Sequence, residues 1–338
     1  MVKKYVIIGG GISVSGIILI FLLFPTFLAI GEVSVLPWGM HDLEVQGDFV
    51  YISGSQSLTI IDATNPAQPY ISKTIEMLNP DWISYQNGYL FLQEGDGNVQ
   101  IVDVNDPYNP KVIDVLYQAG VLALRGELLY SVRSPNTLQS GMFTVYNFSK
   151  PNDPVILSER SSVVDWAKDF KIQGDYGYII GGEALLTVVN ISNHLYINIV
   201  STFYDEGISR HAGQKLQIYN DIAFITDFFT DNEDLYTCYL YAINISDPTH
   251  PEVIWKLDSK EIEKIWVEPD MLYCTSSTEG LLVYDISSLE NPVLIHAYNP
   301  FFSYINAAEV HNDHVYVLGF ISGMNRLQIL DKNSLGNT

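Results

Sequence analysis

The sequence predicts an all-β fold, a seven-bladed β-propeller of four-stranded blades, preceded by one N-terminal transmembrane helix. Three observations predict it. A five-residue strand pattern recurs seven times at spacings that suit propeller blades. The same turn chemistry follows most copies. Ahead of the repeats stands an uncharged run long enough to cross a bilayer.

Residues 5–30 carry no charge, and Lys3 and Lys4 stand just before them. A run of 26 exceeds both the ~20 residues of a spanning helix and the apolar core of a cleaved signal. Ala29-Ile30-Gly31 could still serve as a small-residue cleavage site. A retained anchor over residues 1–31 is the first reading, and a cleaved signal is the second. The positive-inside rule places the lysines in the cytoplasm. Both readings put residues 32–338, the repeat domain, outside the cell. An anchored chain is a single-pass protein of the cell membrane, and a cleaved one is secreted.

Hydrophobic residues make up 47% of the 338 and charged residues 17%, which excludes disorder and allows a sizeable core. Aromatics reach 12%, including 22 Tyr, as strands favour. After residue 31 there remain 39 acidic and 15 basic residues, a net charge of −24. That field repels nucleic acid and excludes it as a partner. Cys238 and Cys274 make no disulfide framework, and they read as small buried hydrophobes with one pairing possible.

Leu58-Thr59-Ile60-Ile61-Asp62 recurs over residues 99–103, 143–147, 186–190, 240–244, 281–285 and 327–331. Each copy ends in Asp or Asn, at intervals of 41, 44, 43, 54, 41 and 46 residues. Prolines follow four and seven residues later in four copies (Pro66 and Pro69 in the first). Copy six keeps only Pro292, and copy four has His194 and Ile197 instead. An Asp or Asn side chain can bond the backbone two residues on, and proline then stops the ladder, so the pattern reads as a sharp strand exit. The sequons at Asn147, Asn190 and Asn244 overlay this turn position and need no glycan to explain them. Upstream, Gln46-Gly47-Asp48 and Gln173-Gly174-Asp175 mark tight hairpins. One repeat therefore reads as strand, tight turn, strand, variable loop, strand, Asx-Pro turn, strand.

On these residues the chain resembles the LVIVD-repeat family of cell-surface propellers. The resemblance covers about residues 40–333 and departs in the proline-free copy four and in the Asn of copies three to five. It implies a propeller displayed at a surface, and it supplies no catalytic residues. The last repeat lacks an outer strand, and Val33-Ser34-Val35-Leu36 aligns with an outer strand. That segment is expected to complete blade seven.

Long connections are expected at 133–142, 161–169, 204–214 and 227–237, all on one face of blades three to five, where binding loops concentrate. The candidate ligand-binding residues there are Trp166, Lys168, Asp169, Tyr204, Arg210, His211, Phe228 and Phe229. Aromatic platforms among them suit a sugar or peptide. His41 and Asp42 join them at the channel mouth. Asp227, Asp231, Glu233 and Asp234 are a weak candidate for calcium, since the stretch lacks EF-hand spacing and reads first as a solvated acidic loop. No cofactor is otherwise expected. Neither a Ser-His-Asp order nor a Gly-rich phosphate loop is present. The favoured function is therefore a membrane-anchored, non-enzymatic binding or adhesion module for an external protein or glycan. The alternatives are a channel-mouth enzyme of hydrolase or lyase type and a structural surface-layer scaffold.

Overall fold

A computed structural model describes residues 29–35, 39–77, 80–95, 97–134, 141–161, 164, 166–182, 184–205, 213–230, 236–259, 262–276, 278–298, 304–321 and 323–332. Of the expected membrane segment, residues 5–30, all but Ala29 and Ile30 lie outside them. Among the described residues no helix is long and apolar enough to cross a membrane.

Twenty-eight strands form seven antiparallel four-stranded sheets, and six of these are consecutive in sequence. Blade 1, for example, pairs the strands from Met40–Gln46 outward to Tyr70–Glu76 in chain order. The inner strands of blades 2 to 7 are Pro80–Gln86, Val121–Arg125, Ala167–Gln173, Lys215–Tyr219, Ile262–Glu268 and Tyr304–His311. Each blade is held to its own first hairpin by one equivalent bond after the third strand. Ala63 N donates to Asp48 O at 2.8 Å in blade 1, and Lys332 N donates to Asp313 O at 2.9 Å in blade 7. The tight turns use left-handed backbone where the sequence supplies it. Asn220 and Asp221 have φ of 47° and 60°, as a type I′ hairpin requires.

The Asx turns form as the residue types imply. Asp62, Asp103, Asn147, Asn190, Asn244 and Asp285 each accept the amide two residues on, at 2.8–3.0 Å. Asn147, Asn190 and Asn244, the sequon residues, are thus engaged in turn bonds. Copy four makes the turn without proline. Asn193 Oδ1 accepts Leu195 N at 3.0 Å, and Tyr196 N donates to Asn193 O at 2.9 Å. Side-chain hydrogen bonding sets this geometry, and proline only reinforces it.

The seventh sheet has the order first, last, second-last, third-last strand of the chain: Ala29–Ser34 pairs with Met324–Asp331, then come His314–Ile321 and Tyr304–His311. Closure by the N-terminus is therefore as expected, but the strand begins four residues earlier than Val33. In six blades the outer strand carries a bulge at one equivalent place, Ser72 in blade 1 and Leu157 in blade 3. Ile30 makes the same irregularity against Leu330 and Ile329. Ala29 is thus the counterpart of Ile71. The sequence alignment missed this because the bulge offsets the period-2 pattern by one residue, and because the apolar run hides where the strand starts. Residues 29–31, read as the end of the anchor, belong to the propeller. A cut after Gly31 would remove half of the closing strand.

The core lies in wedges between neighbouring blades. The closing wedge packs Val35, Leu43, Val50 and Ile61 of the first repeat and its leader against Leu318, Leu327 and Ile329 of the last. Gly31 sits so close to the blade 1 turn that a Cβ would lie 1.9 Å from Pro66 O. Cys238 and Cys274 are not joined in a disulfide, and Cys274 is buried in the wedge of blades 5 and 6. Deleting residues 29–34 exposes this wedge and one strand edge, so the melting temperature is expected to fall by about 5 °C or more in a calorimetric scan. An unchanged transition would contradict closure by this strand.

Candidate functional site

Chain direction fixes the two faces. Inner strands run down to the tight hairpins, so the hairpins and Asx-Pro turns share one face. The second-to-third-strand loops and the blade-to-blade connections share the other. The four long connections do fall on that second face, but one is shorter than expected. The blade 5 hairpin stays paired through Ile222–Thr230 and Tyr236–Asn244, leaving only residues 231–235 between strands.

The inner strands surround a channel with a cavity of about 470 Å³. Five of them open with a bulge at one level, at His41, Asp81, Lys168, Glu263 and Asn306. A bulge turns the strand mouth outward and re-aims its side chains. Immediately below, Asp42, Trp82, Asp169, Lys215 and Lys264 hold equivalent positions, all lining the channel. Two residues further, the next inward-facing level holds Glu44, Lys171, Trp266 and Glu309.

Several of these charges join blade to blade. Asp42 is buried and in contact with the ammonium of Lys264. Its carboxylate also accepts Leu43 N at 2.7 Å and, more distantly, Ile83 N of blade 2 at 3.4 Å. Asp169 repeats the device, taking Phe170 N at 2.8 Å and Leu216 N of blade 5 at 3.0 Å. Glu309 accepts Val45 N of blade 1 at 2.8 Å across the closing seam. At the mouth, His41 lies between Ser55 Oγ at 3.1 Å and Asp81 Oδ1 at 3.0 Å. Asn306 Nδ2 donates to Met40 O at 2.9 Å, while its Oδ1 is buried with no partner among the described residues.

Burial dominates the titration of the deeper groups. It raises Glu44 to about 7, against the opposing pull of Lys171, a hydrogen bond from the Tyr85 backbone, and Lys215. Burial likewise raises Glu309 and lowers Lys215, whose largest opposing influence is Asp169. These are groups whose charge is easily moved, which is what an interior able to accept or release a proton requires.

A recess of about 310 Å³ opens on the loop face beside the channel and shares Trp82, Lys215 and Lys264 with it. His41, Asp227, Phe228, Glu263 and Asn306 are among the other residues that line it. Lys215 Nζ stands 5.3 Å from the Trp82 ring centroid, a cation–π geometry.

Of the candidate residues, His41, Asp42, Lys168, Asp169 and Phe228 are brought to the channel or its mouth. Trp166 and Tyr204 are exposed and line neither cavity, and Trp166 has a φ of 63°. Asp227 is a buried strand residue paired with Tyr239, not part of an acidic loop. Arg210, His211, Asp231, Glu233 and Asp234 lie outside the described residues, as does the side chain of Phe229. Among the described residues no group of three His, Cys, Asp or Glu could hold a metal ion. The recess is lined from blades 5, 6, 7, 1 and 2, further round the ring than the blades three to five singled out by loop length. Glu44, Lys171 and Glu309 escaped the sequence reading. Each lies two residues beyond the mouth level, so period 2 applied to the inner strands would have found them.

Glu44 sets a pH signature. Its folded pKa, near 7, is above that of an unfolded glutamate, so the fold disfavours the carboxylate. No penalty exists below about pH 4.5; stability is lost as pH rises toward 7, and the full loss persists above it. Glu44→Gln removes the ionisation. Its melting temperature relative to the parent is expected to climb between pH 4.5 and pH 8; a pH-independent difference would contradict the burial of this carboxyl group.

LVIVD repeats are matched at residues 40–76, 166–205 and 261–300, falling on blades 1, 4 and 6 and their connections. No curated protein matches the sequence. Among solved structures, the chain is similar to one in the crystal structure of the mitotic checkpoint complex, at 11% identity and TM-score 0.64, covering 95% of this chain and 99% of that one. It is similar to the WD40 β-propeller domain of Doa1 at 12% identity and TM-score 0.63, covering 91% and 98%. Sqt1 of Saccharomyces cerevisiae gives 10% and 0.59, covering 87% and 83%. At such identities the likeness establishes the fold.

Proposed function

From a chain that carries LVIVD repeats and folds as the seven-bladed β-propeller of that family, we propose a membrane-tethered binding module displayed outside the cell. It takes an external protein or glycan at the channel mouth and catalyses no reaction. The observation that carries this reading is the recess beside the channel, where Trp82 and Phe228 stand among Lys215, Lys264, Glu263 and His41. Aromatic faces next to fixed charges of both signs suit a polar partner with an apolar side, such as a sugar ring or a protruding side chain. The uncharged run before the propeller, with Lys3 and Lys4 at its start, supports the tether and the export. The acidic body disfavours anionic partners.

One observation favours a second reading, a channel-mouth hydrolase or lyase. Glu44, held near 7 by burial with Lys171 and Lys215 acting on it, has the proton affinity of a general base. Against it stands the engagement of Asp42, Asp169 and Glu309 in bonds between blades, which leaves fewer groups free to act on a substrate.

Capture of surface proteins and glycans by the exported domain tests the first reading. Trp82→Ala and Phe228→Ala are expected to reduce the captured species at least tenfold while leaving the melting temperature within a few degrees. Undiminished capture by both variants would remove the mouth as the binding site. Turnover of a captured glycan or peptide, abolished by Glu44→Gln, would favour the enzyme instead.

A further inference from the structure

The closing strand enters the propeller at a defined rim. Ala29 pairs with Leu330, one position before the end of the last repeat, at the Asx-Pro face. The uncharged run of residues 5–28 leads directly into it. The strand then rises to the loop face, where Val35 N bonds Asn325 O at 3.0 Å.

The same level carries a ring of exposed aliphatic side chains. The residue paired as Ala29 is paired is Ile71, Val112, Ile156, Ile199, Val253 and Leu294 in blades 1 to 6. All six are large and apolar, and all are 37–50% exposed. Single exposed apolar residues need no explanation, but the same choice at six equivalent positions does. Below the ring, on the turns themselves, Tyr108, Leu195 and Tyr196 are exposed by 49%, 49% and 66%. Tyrosines and aliphatics at one rim are the composition of a membrane–water interface.

We propose that the Asx-Pro face rests against the headgroup layer of the bilayer, so that the channel mouth and its recess face away from the membrane. This rests on the tether read from the uncharged run of residues 5–30. The turns carry carboxylates as well, including Asp103, Asp106, Asp247 and Asp285, which anionic lipid would repel. The surface therefore suits zwitterionic headgroups. The arrangement presents the proposed binding recess to the exterior and keeps it clear of lipid.

The test uses the full chain in phosphatidylcholine vesicles, with Cys238→Ser removing the half-buried thiol and Cys274 left buried in the core. A fluorophore is attached at Ala67→Cys on the blade 1 Asx-Pro turn or at Gln56→Cys on the opposite loop of the same blade. Headgroup-nitroxide lipid is expected to quench the first severalfold more than the second. Equal or reversed quenching in chains that float with the vesicles overturns the orientation and leaves the tether standing. Chains that fail to float overturn the tether and the orientation together. Ile156→Glu with Leu294→Glu is expected to weaken quenching at position 67. No change there removes the ring from the contact, and a detergent-stable dimer dissolved by the same pair reassigns the ring to a second copy of the chain.

Discussion

A ring of blades has no free sheet edge at its seam only if its last blade is completed by the first part of the chain. Here the backbone bonds between Ala29–Ser34 and Met324–Asp331 make that joint. Without them the outer edge of blade 7 would be an unpaired ladder, and the wedge between blades 7 and 1 would lose Val35 and the cover of Ile30 and Val33. Arg326 and Glu32 add an ion pair at 2.6 Å across the same pairing, though an exposed one of small worth. Glu309 spans the seam from inside the channel by accepting Val45 N. The seam is thus held at both its inner and its outer radius, and the channel depends on both.

The interior of that channel has two duties in tension. Carboxylates at the mouth level accept amides of the next inner strand, which fixes the angle between blades. They also bring negative charge into a half-buried space, where lysines from other blades offset it. Asp42 with Lys264 is the clearest case, since each would be costly to bury alone. A channel built this way is polar and shaped before any ligand arrives. It also explains why charged residues on the inner strands need not be catalytic: much of their hydrogen-bonding capacity is spent on the ring.

The repeat was legible because it is chemical as well as periodic. Asp62 and its six counterparts each end a buried apolar strand at a turn, and the Asx bond found at six of them is the one implied by Asp and Asn serving interchangeably. Blade number, blade order and the place of His41 and Asp42 at the channel mouth followed from that register, while the bulges at that level did not. The start of the closing strand did not, because Ala29 and Ile30 read equally as the tail of an apolar run and because a bulge conceals the match to Ile71. The candidate site was legible only in part. His41, Asp42 and Phe228 reach the channel region, whereas long loops drew attention to Trp166 and Tyr204, which lie clear of both cavities. Burial of Asp227 depends on pairing with Tyr239 across a hairpin longer than its sequence suggests. Glu44 and Glu309 stand 265 residues apart, and only ring closure puts them at one level of one channel.

Closure by the N-terminal strand is the claim on which the channel, the direction of chain entry and the proposed orientation of the recess all rest. Native-state hydrogen exchange of the propeller addresses it most directly. Backbone amides shared between Ala29–Ser34 and Met324–Asp331 should exchange as slowly as those joining the third and outer strands of blade 1. Exchange at the rate of an unpaired terminus, with the other six blades protected, would contradict it.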